Sequence, residues 1–330
     1  MGMKRRRLLL AACGLLGLCP NISAQPSPRV YRVGWIVAGP RRRTQPDNPF
    51  VATFLNEMQR LGFAEGRNFI FLLRGVEGDF ARVDDALREL MLEKVDVIYA
   101  GADRIARRLK QLVKSTPVVF VGFDPVRDGY VKSLARPGTN FTGVSMSASP
   151  ELEAKRLEIL TEVVPSARRI AFLGAAFEWS NAFSGVAVRN AASSLGVDLW
   201  QAECGEKEVA SGLERIARAK PDAAFIPGSV TMYAFRRQIG EFLREYRIPA
   251  GFGFEESVEA GGLLSYGSDL EDVSRKIAGC VARILNGSNP ATMPVEQPTL
   301  FRLTINLRAA KELGIAVPQS VLLRADRVIE

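Results

Sequence analysis

The sequence predicts a two-lobed α/β protein built on mainly parallel sheets, and three observations lead there. The chain has 330 residues, 47% of them hydrophobic, which exceeds the size at which a single hydrophobic core usually stops growing. From Tyr31 onward, short β-branched runs alternate with longer amphipathic ones, the pattern of βα units around a parallel sheet. The alternation breaks near residue 146 and then starts again with a second set, so two open sheets in series are expected.

At the N-terminus, Lys4, Arg5, Arg6 and Arg7 precede an apolar run from Leu8 to Leu18, followed by Asn21, Ser23 and Ala24. This is the layout of a signal peptide, residues 1–24, cleaved after Ala24. The apolar run ends at Cys19-Pro20, well short of the roughly 20 residues a spanning helix needs. An exported, periplasmic protein follows. Arg5-Arg6 before Leu8-Leu9 suits a twin-arginine signal as well as an ordinary one. Leu10-Ala11-Ala12-Cys13 imitates a lipoprotein box but has too little apolar sequence before the cysteine. The four leading basic residues supply half of the formal net charge of +8.

In the first set, strands are expected over 31–38, 68–75, 95–101, 116–123 and 141–146, with helices between them. Phe50, Phe54, Met58 and Leu61 recur at helical spacing, and Gly62 stands where a C-cap glycine belongs. The segment 146–150 is the candidate first crossover between lobes. A helix over 149–164 follows, with Ser149 as N-cap and Pro150 at the first helical position. Next come a strand over 168–176, a helix near 180–195, a strand VDLWQAE, a helix near 206–219, a strand DAAFIPG, a helix near 232–246 and a strand IPAGFGF. GGLLSYGSD (261–269) reads as a strand plus turn, 270–287 as a helix ended by Asn286-Gly287, FRLTINL as a strand and RAAKELG as a helix. The expected lobes are 30–147 plus about 268–291, and 148–267 plus about 292–330.

Composition excludes several chemistries. The chain has no histidine, which removes Ser-His-Asp and Cys-His catalysis and any His-ligated zinc site. No Gly-x-Gly-x-x-Gly follows the first strand and no P-loop is present, so no cofactor and no metal is expected. Lys and Arg alternate with Asp and Glu along the helices, so there is no nucleic-acid stripe. Arg41-Arg42-Arg43 is a solvated loop or an anion site. Cys204 and Cys280 remain after the signal, expected as two buried thiols in a compartment that also permits pairing. Of the acidic pairs, Asp84-Asp85 reads as a solvated helix face, and Glu255-Glu256 as either a cleft position or a strand end.

Open parallel sheets receive ligands at the carboxyl ends of their strands. The positions this selects are Gly39, Thr44 and Asn48; Gly101, Ala102 and Asp103; Phe123, Asp124, Pro125 and Val126; Ser145; Ala175 and Ser180; Pro227, Gly228 and Ser229; Glu255; and Asp269. Each is also a plausible cap or turn former. Trp35, Phe123 and Trp179 are sources of apolar contact area, with Trp35 inside a strand and so equally a core residue.

The segment VGFDPVRDGYVKSLARPGTNFTG (121–143), with LGFAEGRNF (61–69), GGLLSYGSD (261–269) and 294–330, resembles the ABC transporter substrate-binding family that includes tryptophan- and tyrosine-binding lipoproteins. The resemblance implies a type I periplasmic-binding fold: two Rossmann-like lobes, three interlobe crossovers, and a small-molecule ligand held between lobes that close on it. It implies a monomer that delivers its ligand to the membrane permease of an ABC importer and catalyses no reaction. Phe254-Glu255-Glu256 departs from the aromatic or basic residue many relatives carry there. A cleft-facing Glu255, together with the arginines of 41–43, points to an amino-acid-like or zwitterionic ligand. A ligand-sensing module for a membrane receptor, a histidine-independent enzyme on the same scaffold, and more remotely a ligand-controlled repressor remain as alternatives.

Overall fold

The computed structural model describes residues 29–39, 49–146, 150–180, 182–205 and 209–330. The signal segment, Arg41 to Arg43, Thr44, Asn48 and Ser149 lie outside the described residues.

The first sheet contains β1 (Tyr31–Val37), β2 (Phe69–Gly75), β3 (Val97–Ala100), β4 (Val118–Gly122) and β5 (Phe141–Ser145), in the order β2-β1-β3-β4-β5 with every pairing parallel. Helices α1 (Pro49–Arg60), α2 (Val83–Leu92) and α3 (Asp103–Leu112) connect them. All four residues of β3 are buried, as befits a central strand covered on both faces. On one face Trp35 packs edge-on against Phe54 and Phe71 at 5.3 and 5.6 Å. On the other, Ile36, Leu90, Ile105, Leu109 and Phe120 form a separate cluster. Trp35 is 3% exposed and belongs to the core. Gly62 adopts φ +93° just after α1, the conformation that favours glycine at a helix end.

The second half contains α4 (Pro150–Val163), β6 (Arg169–Gly174), α5 (Ala176–Ser180), α6 (Ala187–Leu195), β7 (Asp198–Glu203), α7 (Ala210–Ala219), β8 (Ala223–Ile226), α8 (Val230–Ala234), α9 (Arg236–Glu245), β9 (Ala250–Phe252), α10 (Glu255–Glu259), β10 (Leu264–Ser268), α11 (Leu270–Leu285), β11 (Phe301–Asn306), α12 (Leu307–Leu313), α13 (Gln319–Leu322) and β12 (Arg327–Ile329). Its sheet runs β12-β11-β10-β9-β8-β6-β7, parallel except for the antiparallel β10-β11 pair. This is a mixed α/β architecture in two lobes, as the sequence pattern predicts.

Three local expectations change. The helix near 180–195 is divided into α5, a π turn at Ala182–Val186, and α6. Gly185 makes this possible, because a Cβ there would lie 2.0 Å from the Trp179 carbonyl oxygen. The helix near 232–246 is broken at Phe235, whose φ −97° and ψ 10° lie outside helical values. The strand expected to reach Phe254 stops at Phe252, and Glu255 opens a helix instead.

The chain passes between lobes three times. It leaves the first sheet after β5, returns after β10, and leaves again after Glu296. Between the last two crossings α11 packs Val273, Ile277 and Val281 into the same cluster as Phe54 and Met58. Glu296 stays beside β5: its N–H donates to the Gly143 carbonyl at 2.9 Å, and its carbonyl accepts from the Ser145 N–H at 2.8 Å. Cys204 and Cys280 are both buried, in different clusters, and form no disulfide with each other. Among the described residues no helix is long and apolar enough to cross a membrane.

Candidate functional site

Parallel strands direct their carboxyl ends to one edge of each sheet. On the first lobe, Ala102 is buried immediately before α3 and Asp103 opens that helix. The Tyr130 hydroxyl donates to the Asp103 carbonyl at 2.8 Å and reaches its carboxylate at 3.3 Å. Burial and the neighbouring Asp128 push the Asp103 carboxyl up to about 6, while Arg107 and hydrogen bonds from Tyr130 and the Phe123 backbone act against the rise. Ser145 is 2% exposed and donates its hydroxyl to the Phe123 carbonyl at 2.8 Å, tying the end of β5 to the loop after β4. These interactions bring Ala102, Asp103, Phe123 and Ser145 together.

The rest of that loop is turn machinery. Asp124 accepts from the Arg127 N–H at 3.1 Å, the Pro125 carbonyl accepts from Tyr130 and Val131 N–H groups at 2.8 and 3.2 Å, and Val126 is exposed. Trp35 directs its indole N–H toward Gly101, where an added Cβ would stand 2.6 Å from the nitrogen.

On the second lobe, Ala175 N–H donates to the buried Glu178 carboxylate at 2.8 Å, and Ser180 is exposed, its hydroxyl donating to the Phe177 carbonyl at 3.2 Å. Trp179 lies edge-on to Phe172 at 5.3 Å, with the Arg189 guanidinium 4.4 Å from its ring centre. Ser229 caps α8 by accepting from the Met232 N–H at 3.2 Å. Asp269 caps α11, accepting from the Glu271 and Asp272 N–H groups at 2.8 and 3.0 Å, and its second oxygen takes Arg302 Nε at 2.7 Å. Its acceptor positions are occupied by structural partners.

Glu255 requires a correction. It is not an unpaired carboxylate facing the cleft: it forms an ion pair with Arg327 of β12, which also holds Glu259 at 2.8 Å. Opening a helix turns its side chain toward the neighbouring strand, and Arg327 lies on a strand too short to be read from periodicity. The next residue carries the exceptional carboxyl. Glu256 has a buried Oε2 with no hydrogen-bond partner among the described residues, and burial, aided by Glu255 and Glu259, pushes the carboxyl up to about 7 against the pull of its own backbone N–H and of Arg236.

Beside it stands an aromatic pair. Tyr233 meets Phe254 edge-on, with ring centres 5.7 Å apart at 87°. Burial and the Glu256 carboxylate raise the Tyr233 phenol to about 12. Phe254, between β9 and α10, is 8% exposed and packs into the first lobe's apolar cluster, which Val121, Phe123 and Leu270 also join. The two lobes therefore meet through this ring.

Sequence reasoning also missed Arg156. It looks like one more charge on an amphipathic helix, yet it is 1% exposed. Its Nε donates to the Tyr266 carbonyl at 2.7 Å, Nη1 to the buried Glu153 at 2.8 Å, and its guanidinium carbon lies 5.3 Å from the Phe225 ring centre. Among the described residues Nη2 makes no hydrogen bond. It lies next to the ends of β8 and β10, where a Cβ added at Gly228 or Gly267 would be 3.7 or 3.6 Å away. The detectable signal was the Glu153-Arg156 spacing of three on the face that also carries Leu157 and Leu160.

The model of the ABC transporter substrate binding protein family matches residues 49–329. The chain belongs to this family. Among curated proteins, this substrate-binding family member is similar to a tyrosine-binding protein of Clostridioides difficile, 23% identical over 79% of this chain and 75% of that protein. Among solved structures, a conserved domain protein from Vibrio cholerae is 25% identical, covers 91% of this chain and all of its own, and gives a TM-score of 0.79. A Streptococcus pneumoniae ABC domain in complex with L-Trp shares 24% identity and a TM-score of 0.77, covering 91% of this chain and 100% of that one. A ligand-free, open substrate binding protein from Clostridium difficile, at 23% identity, covers 91% and 99% with a TM-score of 0.63. These structures share the two-lobed fold.

Proposed function

We propose that the protein is the extracytoplasmic solute-binding component of an ABC-type importer, and that it holds an amino-acid-like, zwitterionic ligand between its lobes. The observation that carries the ligand class is Glu256, a half-buried residue whose Oε2 is buried without a hydrogen-bond partner among the described residues, beside Tyr233 and Phe254. An unpaired buried carboxylate is costly, and a ligand ammonium would remove that cost while the rings supply apolar contact. Family relatives whose names mention tyrosine and tryptophan support an aromatic amino acid as the first choice.

In this reading the first lobe comprises 30–147 with the returning helix, the second the remainder, and Phe123, Asp103 and Ser145 of one lobe face Gly228 and Ser229 of the other. The protein acts as a monomer, catalyses nothing, and transfers its ligand to a membrane permease. The export signal at residues 1–24 belongs to the same reading.

Calorimetry on protein refolded to remove carried-over ligand tests it, using L-tyrosine, L-tryptophan, the other amino acids and neutral sugars. Heat from an amino acid, accompanied by a smaller radius of gyration in X-ray scattering, is expected. Binding of sugars alone, or binding with no change in scattering, would refute it.

A further inference from the structure

We propose that Arg156 Nη2 is the receptor for the ligand's carboxylate, reached through the space left by Gly228. The inference deepens the amino-acid-like reading above and rests on it. A guanidinium carries five N–H donors in a fixed fork. Here the side chain as a whole is 1% exposed, and Nε and Nη1 are held by the Tyr266 carbonyl and Glu153, which leaves Nη2 as the nitrogen able to meet a ligand. These two anchors fix the plane of the fork, so Nη2 has a set direction, along the carboxyl ends of β8 and β10. The N–H donors on Nη2 are charge-assisted, and a carboxylate oxygen is their strongest match. Glu153 balances the charge of Arg156, so what the site offers is a directional N–H rather than an excess of positive charge.

The glycines around this nitrogen divide into two kinds. At Gly253 and Gly267 a Cβ would lie 2.2 Å from the Gly228 Cα and 1.9 Å from the Gly253 carbonyl oxygen, so the backbones there are too close for any side chain. At Gly228 the nearest atoms to a Cβ are the Gly253 Cα at 3.6 Å, the tip of the Phe254 ring at 3.6 Å and Arg156 Nη2 at 3.7 Å. Those are ordinary van der Waals distances, and no positive φ is required there. Packing therefore tolerates alanine at Gly228. What alanine would fill is the space in front of Nη2. The same space touches the Phe254 ring, which places a bound carboxylate at the base of the aromatic pair.

The test uses Gly228→Ala in the full mature chain, with Arg156→Lys as a second variant that keeps a cation beside Glu153. Each is titrated by calorimetry with L-tyrosine and L-tryptophan and with tyramine and tryptamine, which lack the carboxylate, and each is also screened by thermal shift against a panel of carboxylates, amines and sugars. We expect Gly228→Ala to keep the wild-type unfolding midpoint and to weaken the amino acid that binds by at least tenfold. We expect the corresponding amine to bind wild type at least a hundredfold more weakly than the amino acid. Lysine at 156, which has no second nitrogen to direct at the gap, should lose a similar factor. Equal affinity in wild type and a folded Gly228→Ala variant would overturn the Arg156 assignment and leave the amino-acid reading standing. A carboxylate that is not an amino acid, bound by wild type and lost in Gly228→Ala, would overturn that reading and support Arg156. A panel in which only sugars or amines bind, or nothing binds, would overturn both.

Discussion

Replacing Glu256 by glutamine isolates the energetic consequence of a carboxyl whose Oε2 the second lobe buries without a hydrogen-bond partner among the described residues. Moving a carboxyl from 4.5 to about 7 disfavours its ionised form by about 3 kcal/mol. The folded value lies above the unfolded one, so the folded state holds the proton more tightly between those limits. The penalty is absent below about pH 4.5, grows through the window, and is complete above about pH 7. Wild type should therefore lose stability relative to Glu256→Gln as pH rises, by up to about 3 kcal/mol at pH 8. The glutamine amide carries its own cost of an unpartnered polar group, but that offset does not vary with pH, so the slope is the diagnostic. Asp103, raised to about 6, gives both proteins a slope of the same sign and cancels in the difference. Urea unfolding of both proteins from pH 4.5 to 8, without ligand, measures it. A stability difference that stays constant across this range would refute the burial argument. With a cationic ligand the sign reverses for affinity: binding should weaken on acidification below about pH 7 in wild type and not in the variant.

Phe254→Ala removes the ring through which the lobes meet and should cost about 3 kcal/mol, with a larger radius of gyration by X-ray scattering; unchanged scattering would show that the ring does not hold the lobes together. Gly267→Ala drives a Cβ into the Gly253 carbonyl and should destabilise by about 3 kcal/mol, read as a lower urea midpoint. Asp269→Ala should cost about 1 to 2 kcal/mol for the lost cap of α11 while leaving ligand affinity within twofold by calorimetry, because both its oxygens already serve Glu271, Asp272 and Arg302.

The fold was legible because its signals are local and repeated. A strand such as Val97–Ala100 is buried throughout and reads as an unbroken apolar run, and α1 shows its buried face in Phe54 and Met58. Short elements without an unbroken apolar run were not legible: α10 and β12 carry none and are shorter than the windows in which a period of 3.6 or 2 can be seen. That is also why Glu255 was misread, since its partner Arg327 lies on β12, 72 residues away. The strand-end rule selects Ala102, Asp103, Phe123, Ser145, Gly228 and Ser229 as candidates because it depends only on topology. It could not find Arg156, which reaches the same edge from the flanking helix α4, or distinguish Gly228 from Gly267, which differ only in how closely two backbones approach.

The two lobes contribute unequally to the candidate site, and the inequality bears on how closure would work. On the first lobe the hydroxyl and carboxylate groups at the strand ends are already bound, Ser145 to Phe123 and Tyr130 to Asp103, while the neutral Trp35 indole N–H beside Gly101 is buried without a partner among the described residues. On the second lobe Glu256 and Arg156 each keep one atom without a partner, with the Tyr233-Phe254 pair beside them. A ligand with complementary charges would then bind chiefly to the second lobe, with the first lobe closing over it through apolar contact at Val121 and Phe123. Such a ligand shifts the lobe equilibrium only by its differential affinity for the closed form. In that scheme polar changes at Arg156 or Glu256 alter affinity in both states, whereas trimming Phe123 alters mainly the closed one. Phe123→Ala should therefore reduce ligand-induced compaction in scattering at saturating ligand, and Gly228→Ala should leave that compaction intact once enough ligand is added. The reverse pattern would assign the primary contact to the first lobe.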